Sequence, residues 1–439
     1  MSFRLCARFS VADRMTVAGD ANRQARRHVV LCTGVSSYDV LSYLSNDLAR
    51  AFVDAGWSAE VLDLSRLSTP TELRRIVMEN RTAFFCGYSG YGANIAGADG
   101  TSAYDTLGVP YVGLMLDSPS YYPTRHETPS THTVFLHGDD GHHDTSVAIS
   151  PAGSHRGLFR LATSRWTRAS LPLAERTGTV LFASKGGDPL QYESMLRRTV
   201  DAQGLRAVLA IADALGASPV PLRLWDVARA VMPASLCDTR WHALAAHGDH
   251  LARIRRATAV ARALRSLPVT FVGGEWHHLD AATSGATFLP GTPLPDVRRL
   301  MAAAIGVLNV QPGTTDSVHD RFLLGLQAGS AVISDSNRFI DAQIGREQFT
   351  WWDGDARTIA DVVADTLRTA SSPEAQARAE RGQACARERF SLHTLVQHLG
   401  SVIDRHREGL PLPHPDRVDA QAASMILPTA PDAAADQAA

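Results

Sequence analysis

Lysine is all but missing from this sequence. Lys185 is the single one, and every other residue of the 43 basic ones is arginine. A role that needs an ammonium group therefore has one candidate. Cysteine is scarce too: Cys6, Cys32, Cys86, Cys237 and Cys385 are scattered, odd in number and without CxxC spacing. That pattern argues against a disulfide framework or a zinc site and fits a reducing compartment. No run of about 18 apolar residues occurs, so no membrane-spanning segment is expected. The opening "MSFRLCARFSVADRM" lacks the apolar core of a signal peptide, and the chain reads as cytoplasmic. A formal net charge of −2 removes any global pull toward nucleic acid or membrane surfaces, so no nucleic-acid partner is expected. Three motifs are absent as well. No GxGxxG follows the first strand, no Walker A spacing surrounds Lys185, and there is no GxSxG elbow.

What is present is a long alternation of β-branched runs and helical patterns. At 439 residues the chain has room for two or three domains of about 150 residues each. "RHVVLCTGVSS" reads as a strand entering a small-residue turn, and "YDVLSYLSNDLARAFVDAG" as an amphipathic helix ending at Gly56. "SAEVLDL", "TAFFCGYSGYG", "GVPYVGLMLDSP" and "HTVFLHGDDG" follow as strands. The pattern restarts at "TGTVLFASKGGDP", continues through a mostly helical stretch over 190–266, and resumes with "PVTFVGGEW", "GVLNVQP" and "SAVISD". Strands alternating with helices predict parallel sheets covered on both faces. The expected fold is α/β, with two Rossmann-like domains facing a cleft. Residues 27–170 would form an N-terminal acceptor domain and 171–405 a C-terminal domain. Residues 1–26 would be a loose arm, and 410–439 a disordered Pro/Ala/Asp-rich tail.

Ligands of open parallel sheets sit beyond the carboxyl ends of the strands, and polar, glycine-rich turns collect there: "TGVSS" with Gly34, "LDSPSYYP", "HGDDGHHD", "SKGGDP", "VGGEW" and "QPGTTDS". In the last, Gly313 would let backbone approach a ligand. Thr314, Thr315 and Asp316 would cap the helix beginning near His319 and Asp320. Its amide groups and positive dipole end suit a phosphate. Arg321, in the first turn, would clamp a diphosphate bidentately, and His319 would donate to a phosphate or sugar oxygen. The alternative is a capped core helix with a solvated polar start. Lys185, beside two glycines after a strand, is a phosphate contact or an ordinary surface lysine. "HGDDGHHD" has metal-ligand composition but reads as a flexible polar loop facing the cleft, with His137 nearest the strand end. Asp117 in "LDSPSYYP" is a candidate general base or a turn-starting residue before proline. Asp353-Gly-Asp355 has the DxD spacing of a metal–diphosphate chelator, but Asp355 reads better as a helix cap.

An ordered series of these segments resembles the GT-B glycosyltransferases, and more narrowly the CgeB-like group and its bacterial glycosyltransferase family 1 relatives. The series runs from "TVLFASKGGDP" through "RIRRATAVARALRSLPVTFVGGEW" and "GVLNVQPGTTDSVHDRFLLGLQAGSAVISD" to "FTWWDGDARTIADVVADTLRT" and "ARERFSLHTLVQHL". In the first half, "GVPYVGLMLDSP" is similar to the family's strand ending in Asp-x-Pro. The resemblance spans roughly residues 105–405. It implies a hexosyltransferase-type enzyme that takes a sugar from a nucleotide donor such as a UDP- or GDP-sugar. The acceptor would be a hydroxyl on a surface glycan, lipid-linked glycan or protein. It implies no metal and no other cofactor. Gly313, Thr314, Thr315, His319, Asp320 and Arg321 would meet the donor diphosphate, and Lys185 would add charge at the leaving group. Gly273 and Trp276 would line the nucleotide side, and Asp117 or His137 would take the acceptor proton. The chain departs from the pattern at Leu324, where many relatives carry a glutamate that holds the nucleotide ribose. A sugar-nucleotide epimerase of the same fold and a non-catalytic nucleotide-sugar-binding protein are the alternatives.

Overall fold

The computed structural model describes residues 28–416, apart from 66–69, 81, 98, 127–129, 151–154, 165–169, 219, 233–240, 280–284 and 312. The arm at 1–26 and the tail from 417 onward lie outside the described residues. Two six-stranded sheets organise the rest. β1 (His28–Thr33), β2 (Ser58–Asp63), β3 (Thr82–Tyr88), β4 (Tyr111–Met115), β5 (Thr133–His137) and β6 (His155–Leu158) make the first, in the order β2-β1-β3-β4-β5-β6. β7 (Thr177–Ala183), β8 (Val269–Val272), β9 (Thr287–Leu289), β10 (Ala304–Asn309), β11 (Ala331–Ser334) and β12 (Thr350–Trp351) make the second, in the order β12-β11-β10-β7-β8-β9.

Every pairing is parallel. Parallel sheets must be buried on both faces, so their central strands become nearly continuous apolar runs. β1, β3, β4, β5 and β10 are buried along their whole length. Successive residues then serve opposite faces. Val29, Leu31, Phe84 and Val112 pack on one side of the first sheet, while Val30, Cys32, Phe85 and Tyr111 pack on the other. The second sheet divides in the same way, with Val180, Phe182 and Phe271 opposed to Leu181, Val272 and Val307.

Three features depart from the expectations. A second unit running through residue 405 would put the helix Leu392–Arg407 on the second sheet. Its Leu395, Val396, Leu399, Val402 and Ile403 pack instead with Val29, Phe84 and Val112 of the first, beside Phe52 of the helix Val40–Asp54. "HGDDGHHD" is not a loose loop: the helix Asp140–Ile149 starts inside it, capped by Asp139, whose Oδ1 accepts from the Gly141 and His142 amides. The short strands β6, β9 and β12 have too little periodic sequence to read in advance, and the helix Pro70–Asn80, with Leu73 and Ile76 buried at helical spacing, was not anticipated.

The two halves touch at several points around the cleft. Tyr38, held at φ 55, lies against Gly291 and donates to the Gly273 carbonyl at 2.7 Å. A Cβ at Gly291 would fall 1.8 Å from the Tyr38 ring, so a larger residue there would displace that ring from its place against the second half. Arg298 binds Asp47 at 2.9 Å. Among the described residues, no helix is long and apolar enough to cross a membrane.

Candidate functional site

A cavity of about 1310 Å³ opens at the carboxyl end of the second sheet. Its walls are the turns after β7 (Lys185, Gly186, Asp188), β8 (Glu275), β10 (Gln311, Gly313) and β12 (Asp353, Asp355). Asp249, His250, Arg253 and Arg256 come from the long helix Trp241–Leu264, and His319 and Arg321 stand at the start of the helix Asp320–Gln327. The position follows from the topology, since crossovers of a parallel sheet leave their strand-to-helix turns on one edge.

Most of the cavity's arginines are committed to protein partners. Arg253 binds Asp249 at 2.8 Å, Arg255 binds Glu193 and Asp213, and Arg256 binds Asp335 at 2.7 Å. Arg357 turns back on Asp355. Arg321 differs: its guanidinium makes no hydrogen bond or ion pair with another described residue and stands 5.6 Å from the Phe182 ring. Burial pulls its pKa down to about 10, against the opposing pull of Asp320 and Asp335, so it remains a cation at neutral pH. A half-buried, unpartnered cation facing a cavity is suited to an anionic ligand.

The helix start is built differently from the expectation. Thr314, Thr315 and Asp316 do not cap it; His319 stands at the N-cap position and Asp320 takes the first amide. The Arg321 amide lies 3.2 Å from His319 Nδ1 and 2.7 Å from Asp320 Oδ1, and those two atoms are 2.6 Å apart. A carboxylate only accepts, so the imidazole proton sits on Nδ1 and Asp320 takes the amide. Burial raises the Asp320 pKa, but the His319 ring and the Arg321 charge and amide outweigh it and hold the carboxyl well below its usual range. The loop before the helix is fixed from both sides. Asn337 donates to the Thr314 and Ser317 carbonyls at 2.9 and 2.7 Å. The Thr315 and Asp316 amides, expected to be free for a phosphate, donate to Asp139 Oδ2 of the other half at 2.9 and 2.8 Å. Gly313, at φ 88, has the left-handed backbone that lets this loop pass close to the cavity.

Lys185 reaches the cavity wall and pairs with Glu275 at 2.9 Å, both side chains about half exposed. The turns carrying them interlock. The Gly186 amide donates to the Gly274 carbonyl at 3.0 Å, and the Trp276 indole N–H donates to the Ser184 carbonyl at 3.1 Å. Gly273 permits the approach, since a Cβ there would meet Ser184 O at 2.5 Å. Trp276 itself is buried against Phe182 and Phe271 and lies outside the cavity lining. Gly273 and Trp276 thus shape the wall from behind.

The remaining candidates fall elsewhere. Gly34 is buried beneath the Tyr91 ring, 2.7 Å from where its Cβ would be. His137 has no exposed surface, and neither ring nitrogen has a hydrogen-bond partner among the described residues. Burial, together with His126, His142, Arg156 and His143, holds its pKa well below the ordinary value, so it is neutral and sealed from the cavity. Asp117 is half-buried at the end of β4, where its charge helps Asp249 and Tyr121 keep Arg253 protonated against burial. Next to it, Ser118 lines a small pocket between the halves, which Asp249, Arg253 and Gly313 share with the main cavity. Asp353 accepts from the Asp355 amide and the Thr358 hydroxyl, so the DxD carboxylates serve their own turn. Among the described residues, no group of three or more His, Cys, Asp or Glu is arranged to hold a metal ion. Leu324 lies in an apolar cluster with Leu181, Met301 and Val307 rather than in the cavity. The local reading set Asp139 in a polar loop without a partner in the other half, and passed over Tyr121, Asp249 and Arg256. The run of arginines in "HLARIRRATAVARALRSL" was the one signal for part of this set.

No protein-family model matches the chain, and no curated protein matches it. Among solved structures, an alpha-glucosyltransferase in complex with UDP-glucose and DNA containing an abasic site is 9% identical with a TM-score of 0.53, covering 86% of this chain and 99% of its own. An alpha-glucosyltransferase in complex with UDP and a 13-mer DNA containing a HMU base is 8% identical with a TM-score of 0.52, covering 86% of this chain and all of its own, 100%. A sucrose-phosphate synthase from Thermosynechococcus elongatus is 11% identical with a TM-score of 0.47, over 88% of this chain and 100% of that one. At these identities the likeness is one of fold. The chain has the α/β architecture of two Rossmann-like domains facing a cleft, the GT-B architecture.

Proposed function

We propose that this protein is a metal-independent glycosyltransferase of the CgeB-like kind. It would move a hexose from a UDP- or GDP-sugar to a hydroxyl of a glycan, lipid-linked glycan or protein. The observation that carries the reading is the unpartnered Arg321 guanidinium, facing a cavity at the carboxyl ends of the second sheet. The GT-B architecture and the UDP or UDP-glucose bound to the alpha-glucosyltransferases support it.

In such a transfer the bond from the anomeric carbon to the diphosphate oxygen breaks and a bond to the acceptor oxygen forms. Negative charge grows on the departing diphosphate. Arg321 would take it bidentately, and Lys185 would turn from Glu275 to add a second charge. Because the carboxylates of Asp353 and Asp355 are engaged in their own turn, neutralisation falls to these two cations. The acceptor proton would pass to Asp117, which adjoins the small pocket beside the cavity, or to the leaving phosphate. The sealed position of His137 speaks for a structural role. The apolar setting of Leu324 offers no carboxylate to a ribose, which favours the non-catalytic binder as the second reading.

One experiment separates the readings. The protein is incubated with a panel of UDP- and GDP-sugars plus acceptors, and free nucleotide, sugar identity and thermal stabilisation are followed. Nucleotide release supports the transferase. Stabilisation without release points to the binder, and an altered sugar still attached to its nucleotide points to an epimerase. If no nucleotide stabilises the fold and none is released, the reading fails.

A further inference from the structure

Asp139 uses its two carboxylate oxygens on two different domains. Oδ1 caps its own helix through the Gly141 and His142 amides, at 2.9 and 3.2 Å. Oδ2 takes the Thr315 and Asp316 amides of the loop after β10, at 2.9 and 2.8 Å. The side chain is 2% exposed. A buried carboxylate is tolerated only where donors replace its hydration, and here half of those donors belong to the other domain.

The same loop is held on its carbonyl side from within its own domain, by Asn337. At its start the Gln311 amide is held by Asp335 of the same domain, whereas the Thr315 and Asp316 amides are held across the cleft. The loop carries Gly313 at the cavity edge and runs directly into the helix that presents Arg321. Polar contacts surround the clasp, and apolar contact lies at the far end of its helix, where Ile149 meets the cluster around Val227 and Trp241. Arg223 lies 2.9 Å from Asp144 of the first domain and 3.8 Å from Asp316, and Tyr121 donates to Asp249 at 2.7 Å. Such a seam can part and re-form, since water substitutes for each contact at small net cost.

We infer that Asp139 is a positioning residue: a clasp that closes the two domains on each other and thereby fixes the amide side of the loop leading to Arg321. Its carboxylate would leave the Thr315 and Asp316 amides when the domains part and return when they close. The inference rests on the proposed function only where it concerns turnover; the clasp itself is a statement about the two amides.

The test is amide hydrogen exchange on the full chain, with and without UDP, for the wild type, Asp139→Ser and Asp139→Asn. Serine still caps the helix Asp140–Ile149 but is too short to reach across the cleft. Asparagine, with one acceptor oxygen, must give up one of the two amide pairs. In Asp139→Ser the Thr315 and Asp316 amides should exchange at least about tenfold faster, with exchange in the helix unchanged. In Asp139→Asn one of the two amide pairs should lose protection. UDP should slow exchange at Thr315 and Asp316 in the wild type by favouring the closed form. With a turning-over donor, Asp139→Ser should lower kcat while the donor KM changes by less than about twofold, because Arg321 is untouched. Unchanged exchange at Thr315 and Asp316 in Asp139→Ser overturns the inference. So does a rise of equal size throughout the helix, which would reduce Asp139 to a cap. If no nucleotide sugar is turned over, the proposed function fails, and the exchange result still decides the clasp.

Discussion

The carboxyl ends of the two sheets began from similar sequence and came to opposite ends. Both carry glycine-rich turns after a strand, "TGVSS" and "GYSGYG" in the first half, "SKGGDP" and "VGGEW" in the second. In the first half the space that glycine opens is filled by the protein. Tyr91 lies on Gly34 and donates to the Val35 carbonyl, and Arg125 stacks over Tyr91 and Tyr122 at 4.7 and 4.0 Å. In the second half the glycines bring two backbones together, Gly186 against Glu275 and Gly273 against Ser184, and the space in front of them stays open as the cavity. A glycine after a strand marks close approach. Whether a side chain, a backbone or a ligand makes that approach is decided by what the rest of the chain supplies.

The comparison can be broken most directly at Gly273. Gly273→Ala sets a Cβ against the fixed Ser184 carbonyl at φ 135, and should destabilise the second domain by about 3 kcal/mol, read by denaturant unfolding. Next comes Arg321→Ala. Loss of a charge-assisted contact of about 2 kcal/mol should weaken nucleotide diphosphate binding roughly thirtyfold in a calorimetric titration, leaving the unfolding midpoint unchanged.

A third measurement tests the sealed side. Burial, chiefly, lowers the His126 pKa from 6.5 to about 3, and it holds His137 well below its usual value too. Both are neutral when folded and take a proton when unfolded. Their contribution is complete above pH 6.5 and is lost as the pH falls toward about 3 for His126, at about 1.4 kcal/mol per pH unit for each ring. His137→Asn should make the acid limb of a stability-against-pH curve shallower while nucleotide binding is retained. A loss of binding would return His137 to the site. Gly34→Ala should cost only about 1 kcal/mol, because its obstacle is a ring that can swing aside, and should leave nucleotide affinity alone. An effect as large as at Gly273 would dissolve the contrast. Smallest is Lys185→Ala. The exposed pair with Glu275 contributes little, and affinity for nucleotide diphosphate should fall about threefold.

The strands that were legible in advance are those buried end to end, such as β1, β3 and β10, whose burial on both faces demands an unbroken apolar run. β12, with two residues, leaves no pattern to find. The place of Arg321 at a helix start lining the cavity was legible because helix start, glycine turn and cation are neighbours in sequence. The amides of Thr315 and Asp316 were assigned to the wrong partner because their acceptor, Asp139, lies 176 residues from Thr315 along the chain. Trp276 was placed at the ligand on resemblance, while its indole is needed to lock two turns together.

Sequence alone determined the alternation of strands and helices, the parallel sheets, and the short polar segments that gather at their carboxyl ends. These follow from periodicity and turn chemistry, which act over a few residues. Tertiary structure decided which of those segments faces the open cavity. Among the described residues, no carboxylate was brought within ion-pair distance of the Arg321 guanidinium, whereas Arg253, Arg255 and Arg256 of the helix Trp241–Leu264 found theirs. It also decided that Asp139, which sequence set in a loose polar loop, stands as a buried anion joining the two halves. The pairing of charges and the filling of space depend on residues far apart in the chain, and only folding brings them within reach of one another.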